Sequence, residues 1–364
     1  MRVVMFILPV VLVFGTLGYV YLRCALPWPF VRSWCFAVFY LLLAANTVLS
    51  RLVPQEWPGF VMRASGFASG LWIALMFYIV LAGAVQLVLF LLGKIGGVSV
   101  PHGKIAAALV ACVCVFVLWG AYRAQEPVLR QEKIVTDKLA AGESYRLVLL
   151  SDLHLGEING HAYSEKLVRL VNAQKPDAVL IAGDILDEQQ AYVDKQNGLA
   201  PLRGFSAPLG VYMCYGNHDY IDRPQLWQQK LEQTGITVLR NQSAVIGGRL
   251  KISGVEDYSR ERGDGSIYKL GSGNDEYYSI LLDHQPRRFE AARQAGYDLY
   301  LAGHTHTGQL WPNRWVTKRM YLLDYGRAQF GSLTAITSSG YGFWGPPVRT
   351  EAAPEYILLE ISGK

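Results

Sequence analysis

Four stretches without one charged side chain, Val3–Leu22, Ser33–Ser50, Ala64–Leu92 and Ile105–Tyr122, occupy most of the first third of this 364-residue chain. Each is 18 residues or longer, and a helix crossing the hydrocarbon core of a bilayer needs roughly 20 residues at about 1.5 Å each. Buried helices of a water-soluble domain would show polar faces at helical spacing, and these stretches have none. The pattern predicts a membrane domain over residues 1–122 with about four transmembrane helices. Pro9 inside the first is tolerated in a membrane helix. Tyr19, Tyr21, Trp28, Trp34, Trp57 and Tyr122 sit mostly near span ends, where interfacial aromatics gather.

Charge separates this region from the remainder. Residues 1–122 hold seven basic side chains and one acid, Glu56, which leaves 27 basic and 28 acidic residues for 123–364. With no excess positive charge in the part able to fold in water, nucleic-acid binding is not expected. No small-x-small cleavage site precedes Arg23, so the first span reads as an uncleaved anchor rather than a signal peptide. An even number of spans puts both ends of the membrane region on one side. That side carries Arg2, Arg51, Arg63, Arg123, Arg130, Lys133 and Lys138, against Arg23, Arg32, Lys94 and Lys104 on the other. The balance tips the soluble part towards the cytoplasm. Cys214 is the only cysteine beyond residue 122, so no disulfide can form within the soluble part.

A charged linker over 123–144 is expected to lead into a single α/β domain over 145–364. Short apolar runs at Tyr145–Ser151, Ala178–Ala182, Val211–Tyr215, Leu250–Val255, Ile280–Leu282, Leu299–Ala302, Leu333–Thr337 and Tyr356–Ile361 read as strands. Helical patterns lie at Ser164–Ala173, Pro224–Thr234 and Arg287–Ala295. Alternation of this kind predicts buried sheets covered by helices. Glu261–Gly265 and Gly271–Asp275 read as exposed loops.

The chemistry collects where strands end. The first run leads into Ser151-Asp152-Leu153-His154, the next into Gly183-Asp184-Ile185-Leu186-Asp187 and the third into Gly216-Asn217-His218-Asp219. Two later ones lead into Asp283-His284 and Gly303-His304-Thr305-His306. Five of the seven histidines fall in these clusters; His102 and His161 belong to none and read as ordinary loop or surface residues. Ligands in α/β sheets gather at the carboxyl ends of strands, so five loops can converge. Carboxylates, imidazoles and an amide oxygen without a thiolate suit manganese, iron or zinc. Gly183, Gly216 and Gly303 are expected to let the backbone turn sharply there. Gly340–Gly345 matches a dinucleotide fingerprint formally, but it runs into Pro346-Pro347 instead of opening a helix.

The ordered set Asp-x-His, Gly-Asp-x-x-Asp, Gly-Asn-His-Asp, lone His and Gly-His-x-His resembles the calcineurin-like metallophosphoesterase superfamily, from about residue 145 onward. The membrane-anchored bacterial branch of YkuE/YaeI-type phosphodiesterases is nearest in pattern. The resemblance implies a four-layer α/β/β/α sandwich and a dinuclear metal centre. Asp152, His154, Asp184 and His306 would hold one ion, and Asp184, Asn217, His284 and His304 the other, with Asp184 bridging. His218 would be no ligand but would contact the phosphoryl oxygens or protonate the leaving group. Asp187 and Asp219 are expected to stand behind these residues, Asp219 holding a charged His218.

The implied activity is hydrolysis of phosphoesters, phosphodiester or pyrophosphate, by attack of metal-bound hydroxide at phosphorus. A membrane anchor suggests lipid-linked substrates and an integral protein of the bacterial inner (cell) membrane. A phosphomonoesterase with the same metals, a nuclease and a non-catalytic membrane scaffold are the alternative readings. Lys318 and Arg319 read as a solvated loop. Trp311, Trp315, Phe343 and Trp344, which follow the last ligands, suit either a lipid-facing pocket or packing between sheet and loop.

Overall fold

The computed structural model describes residues 2–50, 57–187, 190–271 and 276–364. Arg51 and most of the Gly271–Asp275 loop expected above lie outside them. The chain forms two compact units, one of residues 1–123 with 345–350 and one of 124–344 with 351–364.

The first unit holds helices α1 (Arg2–Ala25), α2 (Trp34–Leu49), α3 (Gly59–Ile95) and α4 (His102–Arg123). Three of these, α1, α3 and α4, are long and apolar enough to cross a membrane. The fourth expected span, α2, is apolar but only 16 residues long, a length of about 24 Å against a hydrocarbon core of roughly 30 Å. The expected orientation, which needs an even number of crossings, therefore depends on α2. Large apolar side chains such as Leu41, Leu92, Val115 and Leu118 stay exposed, as lipid-facing positions require. Inside, Tyr40 packs with Trp72 and Met76 and donates from its hydroxyl to the Gly15 carbonyl at 2.5 Å. The short stretch 345–350 belongs to this unit: Arg349 N–H donates to the Gly120 carbonyl at 2.9 Å. Tyr78 and Thr350 pair through their hydroxyls at 2.5 Å.

The second unit is built from twelve strands: β1 (Val128–Thr136), β2 (Ser144–Leu150), β3 (Ala178–Ala182), β4 (Val211–Cys214), β5 (Ile236–Val238), β6 (Gln242–Ile246), β7 (Leu250–Gly254), β8 (Tyr278–Leu282), β9 (Leu299–Ala302), β10 (Gly326–Phe330), β11 (Leu333–Thr337) and β12 (Glu355–Gly363). Helices α5 (His161–Asn172), α6 (Gln190–Lys195), α7 (Pro224–Glu232), α8 (Gly265–Leu270), α9 (Phe289–Gln294) and α10 (Arg314–Met320) lie between them. One sheet runs β1-β12-β2-β3-β4-β5 and the other β10-β11-β9-β8-β7-β6. In each, the central strands are parallel: β2 to β5 in the first, β7 to β9 and β11 in the second.

Burial shows how the sheets stack. Leu147, Leu149 and Leu180 of the first sheet share one core with Ile252, Ile280 and Leu301 of the second. The alternate residues of the first sheet, Val148, Leu150 and Ile181, face the other way and pack with Leu167 and Val171 of α5 and Trp227 of α7. Leu281 and Tyr300 of the second sheet likewise pack with Ile267 of α8 and Phe289 of α9. Period-two alternation within fully apolar strands thus produces helix, sheet, sheet and helix in four layers, as expected. Each fully buried aliphatic side chain contributes roughly 1.5–3 kcal/mol.

The segment 123–144 is not only a linker. It contains β1, which pairs in parallel with β12 from Val128↔Glu355 to Thr136↔Gly363. β1 is an edge strand, and its sequence VLRQEKIVT leaves most side chains partly or fully exposed. That exposure explains why no apolar run marks it.

Asp283, at the end of β8, serves the fold. Its carboxylate is fully buried and accepts from Arg288 Nε at 2.8 Å and Nη2 at 2.7 Å, and from the Tyr300 hydroxyl at 2.5 Å. Arg288→Ala would strand that charge, and a loss of about 3–5 kcal/mol is expected. A lowered unfolding midpoint of the full-length chain in detergent reads it; an unchanged midpoint would contradict this role for the pair.

Candidate metal centre

Strand register aligns the loops. Leu150 of β2 lies opposite Ile181 and Ala182 of β3 opposite Cys214 of β4, while Leu282 of β8 lies opposite Leu301 of β9. Parallel neighbours end on the same edge, so loops starting at residues 151, 183, 215, 283 and 303 open together. The Asp152 N–H donates to the Gly183 carbonyl at 3.0 Å and His154 N–H to that of Asp184 at 3.1 Å, tying the first two loops side by side.

The backbone at these positions is unusual. Asp152 (φ 54°), His154 (φ 47°), Asp184 (φ 54°), His304 (φ 73°) and His306 (φ 47°) all occupy the left-handed region. Non-glycine residues held there cost on the order of 1–3 kcal/mol each, and such strain clusters at functional sites. Gly183 is also left-handed (φ 82°), and a Cβ on it would come within 2.7 Å of His284 Nδ1. Gly216 has no such φ; a Cβ there would collide with the Asp184 carboxylate. Gly303 likewise stands against Asp152 and Ser151. Close approach, rather than a sharp turn, requires glycine at these last two positions.

The donor atoms converge in two overlapping groups. His154 Nε2 lies 3.0 Å from His306 Nε2, and Asp152 Oδ1 lies 3.9 and 3.6 Å from these two nitrogens. His284 Nε2 lies 3.2 Å from His304 Nδ1 and 3.1 Å from Asp184 Oδ2. The same Asp184 oxygen is 4.0 Å from His154 Nε2 and so faces both groups. Asp152, His154 and His306, and separately Asp184, His284 and His304, can each hold a metal ion, as can His154, Asp187 and His218. Asn217 Oδ1 is buried without a hydrogen-bond partner among the described residues, an arrangement that is costly unless a donor or a cation meets the oxygen. A hard cation does so, and the donor set fits manganese, iron or zinc.

Charge follows the geometry. Burial works to raise the Asp184 carboxyl, but His284, His218 and His154 outweigh it and hold its pKa below the usual carboxylate range. Asp187 behaves alike, with His154 and His218 as its partners. His218 resists burial because Asp184 and Asp187 face it, and its pKa rises to about 9. His304 is pushed down to about 3 by burial and then by the charge of His284.

Asp219 corrects an expectation. It does not hold His218. It is fully buried beneath the site, where Oδ2 accepts from the Asp184 and Gly216 N–H groups at 2.8 Å each and Oδ1 from Leu186 N–H at 3.1 Å. Burial and the Asp184 charge push its pKa up to about 7. Asp187 has the role instead, with Oδ1 2.9 Å from His218 Nδ1 and 3.2 Å from His154 Nδ1. The His218 backbone N–H donates to Asp184 Oδ1 at 2.8 Å.

Of the four later aromatics, Phe343 is buried, while Trp311, Trp315 and Trp344 are exposed. The Trp344 ring meets that of His218 edge-on at 5.9 Å, and its backbone N–H and carbonyl are both bound by the Gln309 side chain at 2.9 Å. Sequence reasoning missed Gln309 and the Trp344–His218 contact, because nothing local marks either.

Fold and site together define a protein that holds metal ions where the parallel strands of two packed sheets end. The calcineurin-like phosphoesterase family pattern matches residues 145–308. An uncharacterized metallophosphoesterase of Aquifex aeolicus is 32% identical over 259 residues, covering 68% of this chain and 98% of that protein. One from Campylobacter jejuni is 33% identical over 226 residues, covering 60% of this chain and 59% of the other; the chain thus spans about three fifths of that relative's length. A Danio rerio transmembrane protein with a metallophosphoesterase domain is 29% identical over 362 residues, covering 92% of this chain and 82% of the other. The chain belongs to the calcineurin-like metallophosphoesterase family, and it is a membrane protein.

Proposed function

We propose that this chain is a membrane-anchored hydrolase that cleaves phosphoester bonds, phosphodiester or pyrophosphate, at a pair of metal ions, on lipid-linked substrates. The position of Asp184 Oδ2, facing imidazoles from both sheets at 3.1 and 4.0 Å, carries the reading. Asp152, His154, Asp184 and His306 would hold one ion, and Asp184, Asn217, His284 and His304 the other. Paired cations neutralise charge on the phosphoryl group and lower the pKa of water. His218, kept cationic by Asp184 and Asp187, gives its proton to the departing oxygen. Trp344 walls off one side of that imidazole.

The lipid-linked reading draws on a second surface. Trp311, Trp315, Val316, Met320 and Leu322 are all exposed on and around α10, with Lys318 and Arg319 among them. Amphipathic indoles beside snorkelling cations suit a lipid headgroup region. In the same reading the protein sits in the bacterial inner membrane with this domain in the cytoplasm.

The test uses the full-length chain in detergent, loaded with manganese. Bis(p-nitrophenyl) phosphate should turn over at least about tenfold faster than p-nitrophenyl phosphate, equivalent to a barrier difference of about 1.4 kcal/mol. The reverse preference would make it a monoesterase. His218→Ala should lower kcat by about 10²–10⁴-fold with metal content unchanged; parallel loss of metal would instead make His218 a ligand. Because the acid form is the active one, kcat of the parent protein should fall as pH rises through the His218 pKa, which Asp187 beside it raises, and the variant should lack that limb.

A further inference from the structure

Two adjacent arginines follow His284, and the fold treats them oppositely. Arg288 is buried, with its nitrogens bonded to Asp283 and to the carbonyls of Glu256, Glu261 and Gly263. Arg287 is exposed. Its Nε donates to Gln285 Oε1 at 3.1 Å, and its two terminal nitrogens have no partner among the described residues. Gln285 is itself fixed, since its Nε2 donates to both oxygens of the buried Asp257 at 3.0 and 3.1 Å. The guanidinium lies 4.4 Å from the Tyr321 ring centroid and 5.4 Å from that of Tyr258. Tyr321 in turn meets the His304 ring edge-on at 5.8 Å.

A solvated surface arginine has no need of a buried carboxylate, an oriented amide and two aromatic rings to hold it. These partners fix the side chain in advance and so reduce the entropy lost when it binds, while leaving free the pair of nitrogens that matches a phosphate edge. We propose that Arg287 is an anion-binding residue of the metal site, which takes the second, non-scissile phosphoryl group of a pyrophosphate-type substrate on the His304 side. This rests on the reading of the site as a phosphoester hydrolase. It narrows the substrate class to compounds with two linked phosphoryl groups.

Binding tests it apart from turnover. Calorimetry on the manganese-loaded full-length chain would compare P,P′-dimethyl methylenediphosphonate, with two phosphoryl groups, and dimethyl phosphate, with one. The parent protein should prefer the first by about 10- to 100-fold, the range of one or two charge-assisted hydrogen bonds. In Arg287→Ala the preference should shrink to within about threefold, and Arg287→Lys should keep an intermediate value because it retains the charge without the planar fork. An unchanged preference in Arg287→Ala, equal weakening of both probes, or no preference in the parent protein would overturn the proposal. Hydrolysis of bis(p-nitrophenyl) phosphate by the same preparation separates the two readings. Turnover without Arg287-dependent preference sinks only this inference; Arg287-dependent preference without turnover sinks only the hydrolase.

Discussion

Asparagine at position 184 should reduce turnover on the order of 10³-fold or more, because it removes a charge whose oxygen faces both groups of imidazoles. The shape is kept: the amide oxygen can still accept from the His218 N–H, which lies 2.8 Å from Asp184 Oδ1, and the backbone N–H still reaches Asp219. Loss of activity would therefore report charge rather than folding. Metal content should fall at both positions, since one carboxylate is proposed to serve both. Asp152→Asn offers the contrast. Its carboxylate groups with the His154 and His306 imidazoles and takes only the backbone N–H of His304, at 3.0 and 3.1 Å, so that variant should lose one ion and keep much of the other. Near-normal turnover and full metal in Asp184→Asn would remove the bridging role.

Alanine at position 219 should act on the fold instead. Three backbone N–H groups, those of Asp184, Leu186 and Gly216, end on the Asp219 carboxylate at 2.8 to 3.1 Å. Each buried donor left without a partner costs about 1–3 kcal/mol, so with three donors the variant should lose roughly 3–9 kcal/mol if water replaces none of them. A domain holds only about 5–15 kcal/mol in total, so that is a large share. The expected result is a much lower unfolding midpoint together with lost metal, as the loops after β3 and β4 come apart. An unchanged midpoint with activity lost would return Asp219 to a direct part in the chemistry.

How far the sequence carries can be judged on particular residues. The central strands are legible because they are buried on both faces and read as unbroken apolar runs, such as AVLIA in β3. β1 and β10 are not, because half-exposed edge strands carry polar residues, an unbroken Arg-Gln-Glu-Lys run in β1 and arginine and glutamine at alternate positions in β10. The convergence of Asp152, His154, Asp184, His284, His304 and His306 follows from parallel strands ending on one edge, a rule that needs only strand order. Which acid braces His218 does not follow from it. Asp219 is adjacent in the chain, but a tight turn aims it at backbone N–H groups, and Asp187 arrives from another loop. The left-handed backbone at five of the residues proposed as ligands is only weakly marked in the sequence: aspartate and histidine are enriched at such a φ, yet most of them in any chain lie elsewhere. Arg287 and Arg288 look alike as letters; only burial separates them.

Elemental analysis of the purified full-length protein, after exposure to manganese, iron and zinc, reads the central claim most directly. The overlapping groups of donors around Asp184 predict a pair of ions per chain, falling together in Asp184→Asn. A folded protein that retains none of the three metals would contradict it.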